Sequence, residues 1–182
     1  MINEPHPGGS TLAQMFVEDL FLTDSFLVKG RMVNKIKRLT NLLEDHARTF
    51  LHVQDATMVS LRSSDVIRTP SVMINVREVI CAHELVDVAG DEVLKKLAAQ
   101  NKTVRIRAFY NGAVQFEMSG NVEPEAYETG STTNRKYFIM QKPVLRGLNL
   151  ELADLRILKT LEYAIVRKDK MAYVYDFSAG PT

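Results

Sequence analysis

Five basic side chains, Lys29, Arg31, Lys35, Lys37 and Arg38, fall within ten residues. A run of this kind can hold the phosphates of a nucleic acid, a nucleotide or a lipid headgroup. Met32, Val33 and Ile36 interrupt it, and no aromatic side chain lies inside it to stack a base, so a solvated basic face is the plainer alternative. The other reactive residue types are scattered. His6, His46, His52 and His83 form no pair at metal-ligand spacing with a cysteine, so no metal is expected. Cys81, the single cysteine, sits in the apolar run Val79-Ile80-Cys81-Ala82 and reads as a buried inert thiol. Glu123, Glu125 and Glu128 lack the alternating oxygen ligands and turn glycine of a calcium loop. Arg135-Lys136 follows Gly130-Ser131-Thr132-Thr133-Asn134, but the spacing of a phosphate loop is absent. No nucleophile elbow, zinc-protease helix or dinucleotide fingerprint occurs. An enzyme would have to assemble its site from separate groups such as His52, Asp55, Arg77 and His83. The expectation is a protein that is not an enzyme and uses no cofactor.

The elements that would position these residues are mostly strands. Residues 1–9, with two prolines and two glycines, read as a disordered leader. Leu12, Met15, Phe16, Asp19 and Leu20 follow helical spacing, capped by Ser10 or Thr11. Phe26–Val33 reads as a strand with Gly30 at a bulge or close approach. Leu39, Leu42 and Leu43 mark a short helix, Thr49–Leu61 a long strand and Arg62–Asp65 a turn. Val72–Leu85 reads as one or two strands bent near Arg77-Glu78. Asp91–Gln100, acidic at its start and lysine-bearing further on, is the clearest helix and the natural joint between two halves. Beyond it, Val104–Tyr110 and Ala113–Met118 flank Asn111-Gly112 as a type I′ hairpin, with Arg105 and Arg107 on one face. Strands are expected again at Tyr137–Leu145, around Leu150–Leu158, at Leu161–Arg167 and at Met171–Phe177.

The segment Thr49–Met58 returns 87 positions later as Lys136–Leu145, aromatic on aromatic, apolar on apolar and Gln54 on Gln141. Gly30 and Gly120 precede the two copies at similar distances. Downstream, Val72-Met73-Ile74 aligns with Arg156-Ile157-Leu158 if the offset shortens to 84. The expected fold class is therefore α+β, mostly β: two similar small β-rich halves, bent sheets or partial barrels, joined by a helix. The boundaries are a leader over 1–9, an N-terminal half over 10–88, a linking helix over 89–103 and a C-terminal half over 104–182.

The order strand, Arg38-Leu39-Thr40-Asn41-Leu42-Leu43, Thr49–Met58, Val72-Met73-Ile74-Asn75 resembles a small uncharacterised bacterial strand–helix–strand domain. That family pairs a leucine-bearing short helix with a strand ending in Asp-Ala, here Asp55-Ala56. More distantly, residues 24–85 are similar to the bent-sheet barrels of Sm-like proteins. The resemblance implies a bacterial protein and carries no active site onto these residues.

With 23 basic and 22 acidic residues the chain has a net charge of +1, which gives no whole-molecule attraction to nucleic acid or membrane. No apolar run reaches the roughly 18 residues of a membrane span, and no secretory signal is visible, so a cytoplasmic location is expected. The function expected is a non-catalytic interaction or scaffold module that self-associates or docks on a protein partner. The alternative is an anion-binding regulator that contacts RNA, DNA or a nucleotide through Lys29–Arg38.

Overall fold

Among the described residues, ten strands pair antiparallel in one open sheet. A computed structural model describes residues 18–85, 102–128 and 134–178. The strands are β1 (Glu18–Leu22), β2 (Phe26–Met32), β3 (Phe50–Ser60), β4 (Val66–Asn75), β5 (Cys81–Glu84), β6 (Val104–Asn111), β7 (Gln115–Val122), β8 (Tyr137–Arg146), β9 (Tyr163–Arg167) and β10 (Tyr173–Asp176), with helix α1 at Leu39–Glu44. Strand accounts for 51% of the structure and helix for 11%, so the chain is mostly β as its sequence suggests. The order across the sheet is β10-β6-β7-β8-β9-β5-β1-β2-β3-β4. The expected leader, and the linking helix up to residue 101, lie outside the described residues.

The middle of the sheet is buried on both faces. Leu20 and Leu22 of β1, Cys81 of β5, and Ala164 and Val166 of β9 enter one apolar cluster. Their chain neighbours Phe21, Ala82 and Ile165 enter another. Successive strand residues point to opposite faces, so the two cores lie on opposite sides of the sheet. This explains why Leu20–Leu22, Val79–Ala82 and Ala164–Val166 read as unbroken apolar runs, whereas β6 alternates buried Ile106 and Ala108 with the outward Arg105 and Arg107. The first core is closed by Leu155, Leu158 and Leu161. The second is closed by Leu39, Leu42 and Leu43 of α1. Each such buried side chain contributes roughly 1.5–3 kcal/mol.

Two glycines let neighbouring strands approach at bulges. The β2·β3 register slips between Lys29 and Arg31, leaving an extra residue on β3, and the β7·β8 register slips in the same way between Ser119 and Asn121. A Cβ on Gly30 would lie 2.6 Å from Val53 Cγ1 and 2.7 Å from the Gln54 carbonyl oxygen. A Cβ on Gly120 would lie 2.5 Å from Met140 Cγ and 2.7 Å from the Gln141 carbonyl oxygen. The residues after those glutamines, Asp55 and Lys142, both take the left-handed conformation at φ +48°.

Side chains tie the first five strands to the last five. The Glu44 carboxylate accepts from the backbone N–H groups of Lys136 and Tyr137, both at 3.0 Å. Arg167 donates to the Val76 carbonyl at 2.9 Å. Arg62 donates twice to the Ala113 carbonyl, at 3.1 and 2.9 Å.

Four local expectations are corrected. The helical spacing running to Leu20 gives way from Glu18 onward to strand, because pairing with β2 and β5 buries both faces of Leu20–Leu22. The β6–β7 connection is a three-residue loop, Gly112–Val114, since Asn111 pairs with Gln115. Neither Asn111 nor Gly112 has a positive φ, and the tip packs against Asp24 instead. Around Leu150–Leu158 there is no strand: Arg156–Lys159 forms a 3-10 turn whose Leu158 plugs the first core, so its match to Val72–Ile74 fails. Finally, β4 begins at Val66, and Pro70 is tolerated because β4 is an edge strand.

Gly30→Ala and Gly120→Ala are expected to destabilise the fold by similar amounts, about 1–3 kcal/mol each from overpacking. Urea denaturation of the two variants measures this, and a cost at one position alone would break the equivalence of the two bulges.

Candidate functional site

The basic run does not form one cationic face. Lys35 is drawn inward, its side chain 7% exposed, between two buried carboxylates. Its Nζ lies 2.6 Å from Asp19 Oδ1 and 2.7 Å from Glu84 Oε1. Asp19 and Glu84 stand directly opposite each other on β1 and β5. Two like charges in such a cross-strand pair repel, and Lys35 offsets that repulsion. Glu84 also accepts from the Leu39 backbone N–H at 3.0 Å, at the start of α1, and Arg38 approaches its other oxygen at 3.8 Å. Lys35 and Arg38 thus meet at Glu84. The cluster staples the β2–α1 connection across the ends of β1 and β5.

The remaining basic residues go elsewhere. Arg31 forms an ion pair with Asp55 beside the β3 bulge. Lys29 and Lys37 are exposed. Asp19 and Glu84 were missed by sequence reasoning, because Asp19 was placed on a helix and only strand pairing brings Glu84 opposite it.

Asp19 is the electrostatically unusual member. Its pKa is raised to about 6, first by burial and partly offset by the hydrogen bond and charge of Lys35. Its Oδ2 is buried without a hydrogen-bond partner among the described residues. The group is held by its ion-pair and backbone partners, which is the character of a structural ion cluster.

The scattered candidates for catalysis stay scattered. His52 and Asp55 are on β3 and His83 is on β5, with β1 and β2 between, an interval of about 14 Å at ordinary strand spacing. His52 and His83 are therefore not on neighbouring strands. His83 lies against the Tyr163 ring at 4.4 Å between centroids. Arg77 sits in the 3-10 turn after β4. Burial pushes the Cys81 thiol up to about 12, so it is a protonated, inert side chain at neutral pH. No three His, Cys, Asp or Glu side chains converge as a metal site would require, among the described residues.

A second feature is the exposed apolar surface at the two outer edges of the sheet. On β10 and just after it, Tyr173, Val174, Tyr175 and Phe177 are exposed. Tyr175 meets Phe177 edge-on at 4.8 Å, and the Arg107 guanidinium lies 5.5 Å from the Phe177 ring. Tyr127 donates to Asp176 at 2.7 Å, which fixes the end of β10 and raises the Tyr127 pKa to about 12. A shallow depression beside β10 is lined by Phe109, Tyr110, Phe116, Arg146 and Tyr173. At the opposite edge, Ile67 and Met73 on β4 and Phe50 on β3 are exposed.

No family model matches the chain, and comparison with curated proteins and with solved structures finds no match. No helix among the described residues is long and apolar enough to cross a membrane.

Two outcomes follow from the ion cluster. Lys35→Met leaves Asp19 and Glu84 facing each other uncompensated and is expected to cost about 3–5 kcal/mol of stability. The Asp19 pKa is raised on folding, so the folded chain holds the Asp19 proton more tightly than the unfolded chain does. Its contribution is complete below about pH 4 and lost as pH rises through about 6. Wild type should therefore lose stability relative to Asp19→Asn over that window, read by urea denaturation at several pH values. A difference between the two that does not change with pH contradicts the assignment.

Proposed function

We propose that the protein is a non-catalytic interaction or scaffold module that self-associates or docks on a protein partner. The observation that carries this reading is the collection of exposed apolar side chains at the two ends of the sheet as formed by the described residues, Tyr173–Phe177 at one and Ile67 and Met73 at the other. An edge strand offers a row of backbone donors and acceptors to an incoming strand, and apolar side chains beside that row supply affinity. The longer edge, β4, extends over ten residues. The anion-binding alternative has less support, because Arg31, Lys35 and Arg38 each approach a carboxylate and leave Lys29 and Lys37 as the outward charges.

We also read the two sets of five strands as copies of one unit. Their orders correspond, β5-β1-β2-β3-β4 against β10-β6-β7-β8-β9. Tyr137 follows Phe50 by 87 positions, and Asn75 opposite Phe50 corresponds to Arg167 opposite Tyr137. Phe109 follows Leu22 by the same 87 positions, and Cys81 opposite Leu22 corresponds to Tyr173 opposite Phe109. A cytoplasmic location belongs to this proposal, supported by the lack of any second cysteine to pair with Cys81.

Light scattering across a concentration series, together with a pull-down using the tagged full chain, tests the reading. Concentration-dependent assembly or specific retention of one partner is expected. A strict monomer that retains no partner contradicts it.

A further inference from the structure

The junction inside the chain indicates how two chains would meet. β5 of the first five strands pairs antiparallel with β9 of the last five, Cys81 opposite Val166 and Ala82 opposite Ile165, and all four residues are fully buried. In the correspondence of the two sets, β5 matches β10 and β9 matches β4. Among the described residues, the two strands at the ends of the sheet are thus the counterparts of the two that join in its middle.

We infer that β10 of one chain pairs antiparallel with β4 of a second copy, repeating the β5·β9 junction between molecules. This rests on the self-association reading and specifies its geometry. Carried over at the spacing of 92 positions that separates Cys81 from Tyr173 and Asn75 from Arg167, the observed register places Tyr173 opposite Ile74 and Val174 opposite Met73.

Three features of the edges fit this occupant. Val174 and Met73, 36% and 57% exposed in the single chain, become a directly facing apolar pair, close enough for side-chain contact. Tyr175 then faces Val72 and Asp176 faces Ser71, so the four residues of β10 are accommodated by Ser71–Ile74. The next β4 residue is Pro70, which has no N–H to donate, so the ladder ends where β10 ends.

The contact is head-to-tail: each chain offers β10 to one neighbour and β4 to another. Such an interface gives a closed ring if its rotation closes and an open filament if it does not. It differs from an isologous dimer, in which two copies of β4 would face each other.

The test uses Met73→Lys, which blunts the β4 edge alone, and Val174→Lys, which blunts the β10 edge alone. Tyr173→Lys, at a position 71% exposed, serves as a second β10 variant if Val174→Lys fails to fold by circular dichroism. Sedimentation velocity of wild type is expected to show assembly beyond the monomer. Each variant alone should be monomeric, with its dissociation constant raised at least tenfold. An equimolar mixture of the two variants should give a heterodimer and nothing larger, because one intact β10 meets one intact β4. Assembly lost in Met73→Lys but unchanged in both β10 variants overturns the head-to-tail contact in favour of a β4·β4 dimer. Wild-type assembly retained by every variant overturns these edges while leaving self-association standing. A wild type that stays monomeric overturns both this contact and self-association, leaving the protein-partner reading to the pull-down.

Discussion

Apolar side chains project from both faces of β1, β5 and β9, so neither face of the sheet's middle can meet water. Phe21 lies between Leu20 and Leu22, and Ile165 between Ala164 and Val166, all fully buried. A single layer of covering residues on one side cannot satisfy that pattern. Two cores are required, on opposite faces, and the outer strands and their connections supply them. Leu39, Leu42 and Leu43 of α1 close one core, and Leu155, Leu158 and Leu161 close the other. Among the described residues, β10 and β4 form the two ends of the sheet.

The ends of the central strands are where charge enters. Asp19 and Glu84 lie on adjacent strands at the margin of the buried zone, and Lys35 reaches them from the loop that leads into α1. Burying three ionised groups is costly unless they are arranged around one another, and here Glu84 also satisfies a backbone donor of α1. The arrangement locates α1 over the second core. Three of the five basic side chains that suggested phosphate binding thus have carboxylate neighbours, and the apolar edges become the more informative surface.

Most of the strand pattern was legible in the sequence. The helix at Leu39–Leu43, the bend near Arg77-Glu78 and the long strand from Phe50 all appear where periodicity placed them. The match of Gln54 to Gln141 was legible too, and it marks the two bulges that face Gly30 and Gly120. Long-range pairing was not legible. Leu12, Met15, Phe16, Asp19 and Leu20 follow helical spacing locally, but from Glu18 the chain completes the middle of the sheet, and burial on two faces overrides that spacing. Asn111-Gly112 carries a strong hairpin signal, yet contacts of the tip with Asp24 and Arg62 select a longer loop. The Asp19–Lys35–Glu84 cluster spans 65 positions of sequence and emerges only from the strand order.

The central claim is that β9, β5 and β1 join all ten strands into one cooperative structure. Native-state hydrogen exchange resolved to single amides tests it most directly. The account predicts that the slowest amides are those of Phe21, Ala82 and Ile165 and their neighbours, exchanging only with global unfolding, while outward amides of β4 and β10 exchange early. Early exchange across the β5·β9 pairing, with separate late-exchanging groups in β2–β3 and β6–β8, would contradict it and describe two independent units in contact.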